Sequence, residues 1–402
     1  MCFIVGVIIF VILENKMKIK FLVFCCVSIF FHSCANREKN NTFVDTVNID
    51  VKQDKTLDLS RKLNIYNCVP LETTSESLIK QIEKIYVIDS SIVIFDNKQN
   101  EIFLFKSNGE FIRKFGSKGN GPGEHIMFND VFYDYSSKLM YAQEGIKQFM
   151  YIYDISGKLI SEIPTKQFMF RSFCKVEDGY WIYSCYKTGN PNGYSIMKVG
   201  NNFEKILCGY FPQKNFFRTS FRSTFLQNSS NENFFIYPFS NIVYKINDND
   251  LSPFFEINFG RQTLPYSQIQ KLYDEMQYDQ LVQNNGYMGR ICDFMFTGDE
   301  FHFNFSEIKK KSIQYHGCYN IKKKTIDVFK NILDYKSPTE SQLNFKHLVL
   351  SYPVGVTKDM SIYIVKPYDM DDQDLLEINS VLKSTIDIDS NPILFFMKSV
   401  KG

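Results

Sequence analysis

Histidine is scarce in this chain, with five in 402 residues, and they form no H-E-x-x-H pair or other close couple of the kind that marks a zinc hydrolase. No G-x-S-x-G elbow occurs either, so the common linear signatures of hydrolytic chemistry are missing. An excess of one charge is missing too: 46 basic and 44 acidic residues leave a formal net charge of +2. Without a basic stripe to track phosphates, nucleic-acid binding is disfavoured. Tryptophan occurs once, and helical periodicity is almost absent. Past residue 34 the cysteines stand at Cys68, Cys174, Cys185, Cys208, Cys292 and Cys318, with no two at metal-ligand spacing. A domain this large has core enough without staples, so most of them read as small buried hydrophobes, although a disulfide is allowed outside the cytoplasm.

What the chain does have is aromatic residues, 39 Phe and 24 Tyr, which suit the half-buried surface of a pleated sheet. It also has an apolar amino terminus. Residues 1–13 form one apolar run and Phe21 to Phe31 a second, behind Lys18 and Lys20. The second run is short for a bilayer span but has the length of a signal-peptide core, which makes Met17 a natural start. "FHSC" resembles a bacterial lipobox, with Ser33 before Cys34, the expected lipidation site. The alternative is an ordinary cleaved signal with an incidental cysteine. This gives a signal peptide over residues 1–33, a polar tether over 34–60 that leads from the lipid bilayer, and the folded domain over 61–402.

Within that domain the chain repeats. "EIFLFKSNGEFIRKF" (Glu101 to Phe115) matches "QFMYIYDISGKLISEI" (Gln148 to Ile163), each an alternating strand, a tight turn and a second alternating strand. The turn glycines, Gly109 and Gly157, are 48 residues apart, as expected for hairpins whose turns need a positive φ. Further hairpins turn at Asp178-Gly179, in the Asn/Asp cluster before Leu251, and at Gly298-Asp299. Four strands in about 45 to 50 residues is the spacing of a propeller blade. "PYSQIQKLYDEMQYDQLVQ" (Pro265 to Gln283) sets Ile269, Leu272, Tyr273 and Met276 at helical spacing, which predicts one amphipathic helix between blades. The remaining length accommodates six units, and "LNIYNCVPLE" from Leu63 is placed to supply the outer strand that closes the ring. The expectation is an all-β, six-bladed β-propeller with one inserted helix.

The tract "PLETTSESLIKQIEKIYVIDSSIVIFDNKQNEIFLFKSNGEFIRKFGSKGNGPGEH", with "NPILFFMKSV" near the other end, resembles the six-bladed β-propeller lipoproteins of the Bacteroidetes, relatives of the NHL-type propellers. The resemblance implies a place in the cell envelope, as an outer-membrane lipoprotein facing the periplasm or the exterior. It implies no particular activity.

The glycine-rich "KFGSKGNGPGEH" (Lys114 to His125) lacks the closing Lys-Ser or Lys-Thr of a P-loop and runs into a strand instead of a helix. It reads as a crossing between blades, in which Glu124 either bonds exposed backbone N–H groups or, with His125, faces a ligand. Arg171, Arg222 and Arg290, separated by 51 and 68 residues, each stand immediately before an expected innermost strand, and the second spacing falls to about 48, one repeat, once the helix is discounted. In-phase guanidiniums would meet around one channel mouth and attract a carboxylate, sulfate or phosphate; the alternative is a salt bridge from each to a neighbouring blade. Ser351 and Tyr352 share that phase. "YDMDDQD" (Tyr368 to Asp374) lacks the Gly and bidentate Glu of a calcium loop and reads as a solvated turn.

These readings predict a lipid-anchored binding or scaffolding module that needs no cofactor and has no linear metal motif. Its ligand residues are Arg171, Arg222, Arg290, Glu124 and His125, and its partner is an anionic saccharide, a peptide or an envelope protein. The lack of catalytic motifs weighs against an enzyme. It leaves open a metal-dependent propeller hydrolase or lyase, which gathers ligands from several blades on the propeller axis; a purely structural partner would instead present an exposed apolar face.

Overall fold

The computed structural model describes residues 45–51, 63–184, 193–212, 224–228, 230–237, 240–269, 271–272, 275–307, 313–330, 333–335, 348–350, 353–357 and 359–399. Six four-stranded antiparallel blades follow one another around an axis, as the repeat predicts. Blade 1 holds Ile82–Ile88, Ser91–Asp96, Glu101–Lys106 and Phe111–Lys114, innermost strand first. Blade 2 holds Phe128–Asp134, Leu139–Glu144, Phe149–Tyr153 and Leu159–Pro164; blade 3 holds Ser172–Val176, Gly179–Tyr183, Tyr194–Gly200 and Ile206–Pro212. Blade 4 holds Phe225–Gln227, Asn233–Ile236, Ile242–Ile246 and Leu251–Asn258; blade 5 holds Met288–Thr297, Glu300–Glu307, Ile313–Asn320 and Thr325–Lys330. Blade 6 takes Gly355–Val356, Ser361–Val365 and Ile393–Ser399 from the carboxyl-terminal end and its outer strand, Leu63–Pro70, from the other end. Leu63 pairs with Ser399 and Pro70 with Ile393, which closes the ring as the sequence predicts.

Burial follows position in the blade. Middle strands such as "EIFLFK" and "GYWIY" are buried almost throughout, because a neighbouring blade covers each face and alternation gives way to a continuous apolar run. Outer strands such as "LISEIP" are half-buried or exposed. A repeated carboxylate organises the blade ends. Asp96, at the end of the second strand of blade 1, accepts backbone N–H bonds from Lys80, Gln81, Lys98 and Gln99. Glu144 does the same in blade 2 for Ile126, Met127 and Lys147. Both side chains are buried and tie the chain entering the blade to the turn that leaves its second strand.

Three expectations are corrected. The helix between blades 4 and 5 is two short helices, Tyr266–Ile269 and Glu275–Asn285. On the second, Tyr278 and Val282 are buried at i,i+4, which leaves Met276 on the other side, 69% exposed. "YDMDDQD" is a helix start, not a turn: Asp371 is the N-cap of Asp372–Leu382 and its side chain accepts from Asp374 N–H at 2.9 Å. Asp372 and Asp374 occupy the first turn, where the helix dipole favours negative charge. Third, the tether expected over 34–60 contains a strand. Thr46–Asn48 adds to the outer edge of blade 4, parallel to Leu251–Asn258, because Val47 and Ile49 alternate into the apolar core between blades 4 and 5.

Candidate functional site

The innermost strands of blades 1, 2, 4, 5 and 6 surround an axial cavity of about 480 Å³, within the size range of small-molecule sites. It opens at the end of the ring where first and second strands are joined. Asp89 and Lys138, in those turns of blades 1 and 2, line it with left-handed backbones at φ 51° and 57°. Its wall is aromatic. Tyr86 lies 6.2 Å from Tyr133, and Tyr133 meets Tyr135 edge-on at 4.8 Å; Phe225, Phe294 and Phe296 line the other side. Burial, with Tyr86 and Tyr133 beside it, pushes the Tyr135 phenol up to about 12. Burial and Asp89 raise that of Tyr133. Both therefore stay protonated and present neutral hydroxyls that can donate and accept.

The cationic group in this wall is already paired. Lys84 Nζ sits 2.6 Å from Asp130 Oδ1 and donates to the Val131 carbonyl at 2.9 Å. Tyr86 donates to the same carbonyl at 3.1 Å. Asp130 in turn accepts from Val131 N–H and from Phe173 N–H of blade 3, so the pair stitches three blades together beside the cavity. Lys138 is exposed at the rim.

Of the residues predicted from sequence, the described ones, Arg171, Glu124 and His125, do not line this cavity. Arg171 is exposed immediately before the innermost strand of blade 3, at the opposite end of the innermost strands from the cavity turns. Its backbone N–H donates to the Tyr183 carbonyl. Arg222 lies outside the described residues, as do Cys34, Ser351, Tyr352 and the side chain of Arg290. Arg290 is the third residue within Met288–Thr297, not a residue ahead of that strand as expected, because the strand starts earlier than the apolar pattern suggests. Glu124 and His125 are neighbours at the end of the glycine loop, and their side chains have different surroundings. The Glu124 carboxylate accepts from Gly121 N–H at 2.7 Å, and a Cβ on Gly119 would stand 2.0 Å from its Oε2, so a side chain there would displace the carboxylate. His125 is fully buried and stacks on Phe128 at 3.9 Å; burial pushes its pKa down. Neither ring nitrogen has a protein hydrogen-bond partner.

Sequence reasoning missed the cavity because it looked for charge. The usable signal was aromatic phase: Tyr86 and Tyr133 are 47 residues apart, one blade period, at the same end of successive innermost strands.

Comparison with known proteins agrees with this fold. A Bacteroides fragilis protein named as exported superposes with a TM-score of 0.68 at 16% identity, over 89% of this chain and all of the other. A member of the DUF4221 family from Bacteroides vulgatus gives a TM-score of 0.50 at 7% identity, over 85% of this chain and all of the other. No curated protein matches in sequence. The family matched over residues 44–398 is described as a domain of unknown function, DUF4934, and with nearly the whole described ring inside that span, the chain belongs to this family.

Proposed function

We propose that the chain is an envelope-anchored binding module whose ligand enters the axial cavity. The observation that supports this reading is the aromatic wall, assembled from five blades around one opening. Rings at Tyr86 and Tyr135, backed by the buried Tyr133, offer faces and edges on which the apolar side of a sugar stacks, while their hydroxyls meet its own. Lys138 at the rim gives a carboxylate somewhere to sit, so an acidic saccharide is the ligand class we favour. The rival reading, a hydrolase or lyase with an axial metal, would rest on oxygen ligands such as Glu83, Asp89, Asn228 and Asn231, since the described lining residues include neither His nor Cys. Anchoring through a lipidated Cys34 would hold the module at the outer membrane.

Titration calorimetry against a panel of acidic and neutral oligosaccharides tests the reading. Tyr135→Ala should weaken the best ligand at least tenfold, and Lys138→Ala should weaken the acidic ligands alone, both with unchanged thermal midpoints. A ligand bound equally by wild type and Tyr135→Ala would remove the cavity from consideration. Binding that disappears only in Arg171→Ala would move the site to the opposite mouth.

A further inference from the structure

Blade 5 has two chemically different faces. In "EFHFNFSE" (Glu300–Glu307), Phe301, Phe303 and Phe305 point into the apolar core shared with blade 4. The alternate residues Glu300, His302, Asn304 and Ser306 face the other way. The next strand continues that polar face, with His316 opposite Asn304 and Cys318 opposite His302. Blade 6 covers it: Tyr363 is fully buried, and its phenol is pushed up by burial and by Cys318 and Glu300 beside it.

A chain of hydrogen bonds runs across this face and sets the state of one imidazole. Asn304 Nδ2 donates to Asp293 Oδ2 at 3.0 Å. Its Oδ1 must then be an acceptor, so the 2.8 Å contact is a bond from His316 Nδ1–H. That leaves His316 Nε2 as an acceptor, and His302 Nδ1–H donates to it at 3.0 Å. His302 Nε2 therefore carries a lone pair, which accepts from the Thr297 hydroxyl at 2.7 Å. The innermost strand is built to supply the first link. Its pairing shifts register twice, between Gly289 and Cys292 and between Cys292 and Met295, and Asp293, inside the second shift, adopts φ 52°. Bulges re-aim side chains, and this one turns a carboxylate onto Asn304.

Around that lone pair stand two more metal-ligating atoms. Cys318 Sγ is 3.9 Å from His302 Nε2 and Glu300 Oε2 is 3.6 Å away, and one ligand atom from each of the three residues falls within 4.8 Å of the others. Tetrahedral zinc with nitrogen and oxygen at about 2.0 Å and sulfur at about 2.3 Å would place these ligands about 3.3–3.6 Å apart, so the two distances from His302 Nε2 need to close by only a few tenths of an ångström, Glu300 and Cys318 approach each other from within 4.8 Å, and the Thr297 hydroxyl yields the lone pair to the ion. We propose that Glu300, His302 and Cys318 form a zinc site in the seam between blades 5 and 6, away from the propeller axis. The Asp293–Asn304–His316 relay is the outer shell that holds His302 in the ligating tautomer, as hydrogen-bonded partners do behind metal-bound histidines. The mixed nitrogen, sulfur and oxygen set suits Zn²⁺ over Mg²⁺ or Ca²⁺, which prefer oxygen alone. Three protein ligands leave a tetrahedral position for water. Glu300, with a side chain 28% exposed, marks the side from which an ion enters. On binding, the Cys318 thiol gives up its proton and coordinates as the thiolate.

The test uses the mature protein, stripped with chelator and titrated with Zn²⁺ and Co²⁺. One equivalent of Zn²⁺ should bind, and Co²⁺ should give the near-ultraviolet charge-transfer band of a thiolate ligand. His302→Ala and Cys318→Ser should each weaken Zn²⁺ binding at least a hundredfold, with the band lost in the cysteine variant. Cys208→Ser, in the outer strand of blade 3, should leave both unchanged. His316→Ala should weaken binding about ten- to a hundredfold, as outer-shell losses do. Circular dichroism and a cooperative melt identify variants that keep the fold. Absence of stoichiometric Zn²⁺ binding by the wild type, or equal binding by a folded Cys318→Ser, would overturn the assignment. Loss of saccharide binding with zinc binding intact would bear on the axial cavity alone.

Discussion

Replacing Asp130 by Ala tests how the blades are held together near the axis. Its side chain is 5% exposed, with one oxygen 2.6 Å from Lys84 Nζ and the other accepting from Phe173 N–H at 3.1 Å. Burial works against the Lys84 charge, but the Asp130 carboxylate, with Tyr86 beside it, outweighs that penalty and holds the ammonium above its ordinary value. Burial pushes the Asp130 carboxyl up, against the pull of Lys84. At 2.6 Å the ion pair is the state we assign. Removing the carboxylate strands a buried cation beside one carbonyl, which costs about 3–5 kcal/mol. The orphaned Phe173 N–H adds about 1–3 kcal/mol, partly overlapping with the first term. A loss of about 4–6 kcal/mol is a large share of the 5–15 kcal/mol typical of folded domains. Urea denaturation followed by the fluorescence of Trp181, the one tryptophan and fully buried in blade 3, reads the change. Lys84→Met combined with Asp130→Leu should recover most of the loss, because an apolar pair of similar volume often replaces a buried ion pair at little cost. The reasoning fails if Asp130→Ala lies within about 1 kcal/mol of wild type, or if the double variant loses as much as the two single changes summed.

The other expectations concern parts of the ring further from the axis. Burial, with His302 beside it, pushes His316 down to about 3 from an ordinary 6.5. In metal-free protein its contribution is whole above about pH 6.5 and declines toward pH 3, because the unfolded chain takes up the proton first; the slope is at most about 1.4 kcal/mol per pH unit. Urea midpoints at pH 7.5 and 5 measure it, and a His316→Asn variant with the same pH slope as wild type would contradict it. Asp96→Ala leaves four backbone donors without their acceptor and should cost about 2–4 kcal/mol, with Asp96→Asn costing less; a loss below about 0.5 kcal/mol would show that water replaces the carboxylate. Gly109 and Gly157 are equivalent in the repeat, but a Cβ would stand 2.1 Å from the Pro70 carbonyl at Gly109 and 3.2 Å from Phe115 at Gly157. Both substitutions to Ala pay about 1–2 kcal/mol for the positive φ, and Gly109→Ala should pay more by disturbing the closing strand. Equal thermal shifts would argue against that contact.

The ring was legible because its cause is periodic. Blade strands alternate, hairpin glycines recur 48 residues apart at Gly109 and Gly157, and Leu63–Pro70 had no hairpin partner of its own, which left it free to close the ring. Insertions escaped that logic. Asp371, Asp372 and Asp374 read as a solvated turn because acidic residues suit turns and helix starts alike, and only the buried Ile378 downstream separates the two. Met276 sat on the apolar stripe of one continuous helix, but the second helix starts at Glu275 and turns Tyr278 and Val282 inward instead. The site was less legible because the geometry that makes it lies between strands. Tyr86 and Tyr133 meet across blades, and His302 and His316 seem scattered until register puts them on one face.

That register also decides what blade 6 contributes to the seam. Glu300, His302 and Cys318 all belong to two adjacent strands of blade 5, and Thr297 and Asp293 come from its innermost strand, so one blade assembles both the ligand set and the relay behind it. Blade 6 adds no ligand among the described residues; it adds Tyr363 and the apolar cluster behind it, which exclude water from the polar face. Blade 6 is also the blade stitched from both ends of the chain, through the Leu63–Pro70 pairing with Ile393–Ser399. An ion held by blade 5 would therefore favour the closed ring only as far as closure desolvates and tightens the site. Tyr363→Ala should then leave the Zn²⁺ stoichiometry at one while speeding metal release to a chelator, whereas a ligand variant should abolish the stoichiometry itself. A Tyr363→Ala protein that releases metal no faster than wild type would mean that the seam is already sealed by blade 5 alone, with closure and metal uncoupled.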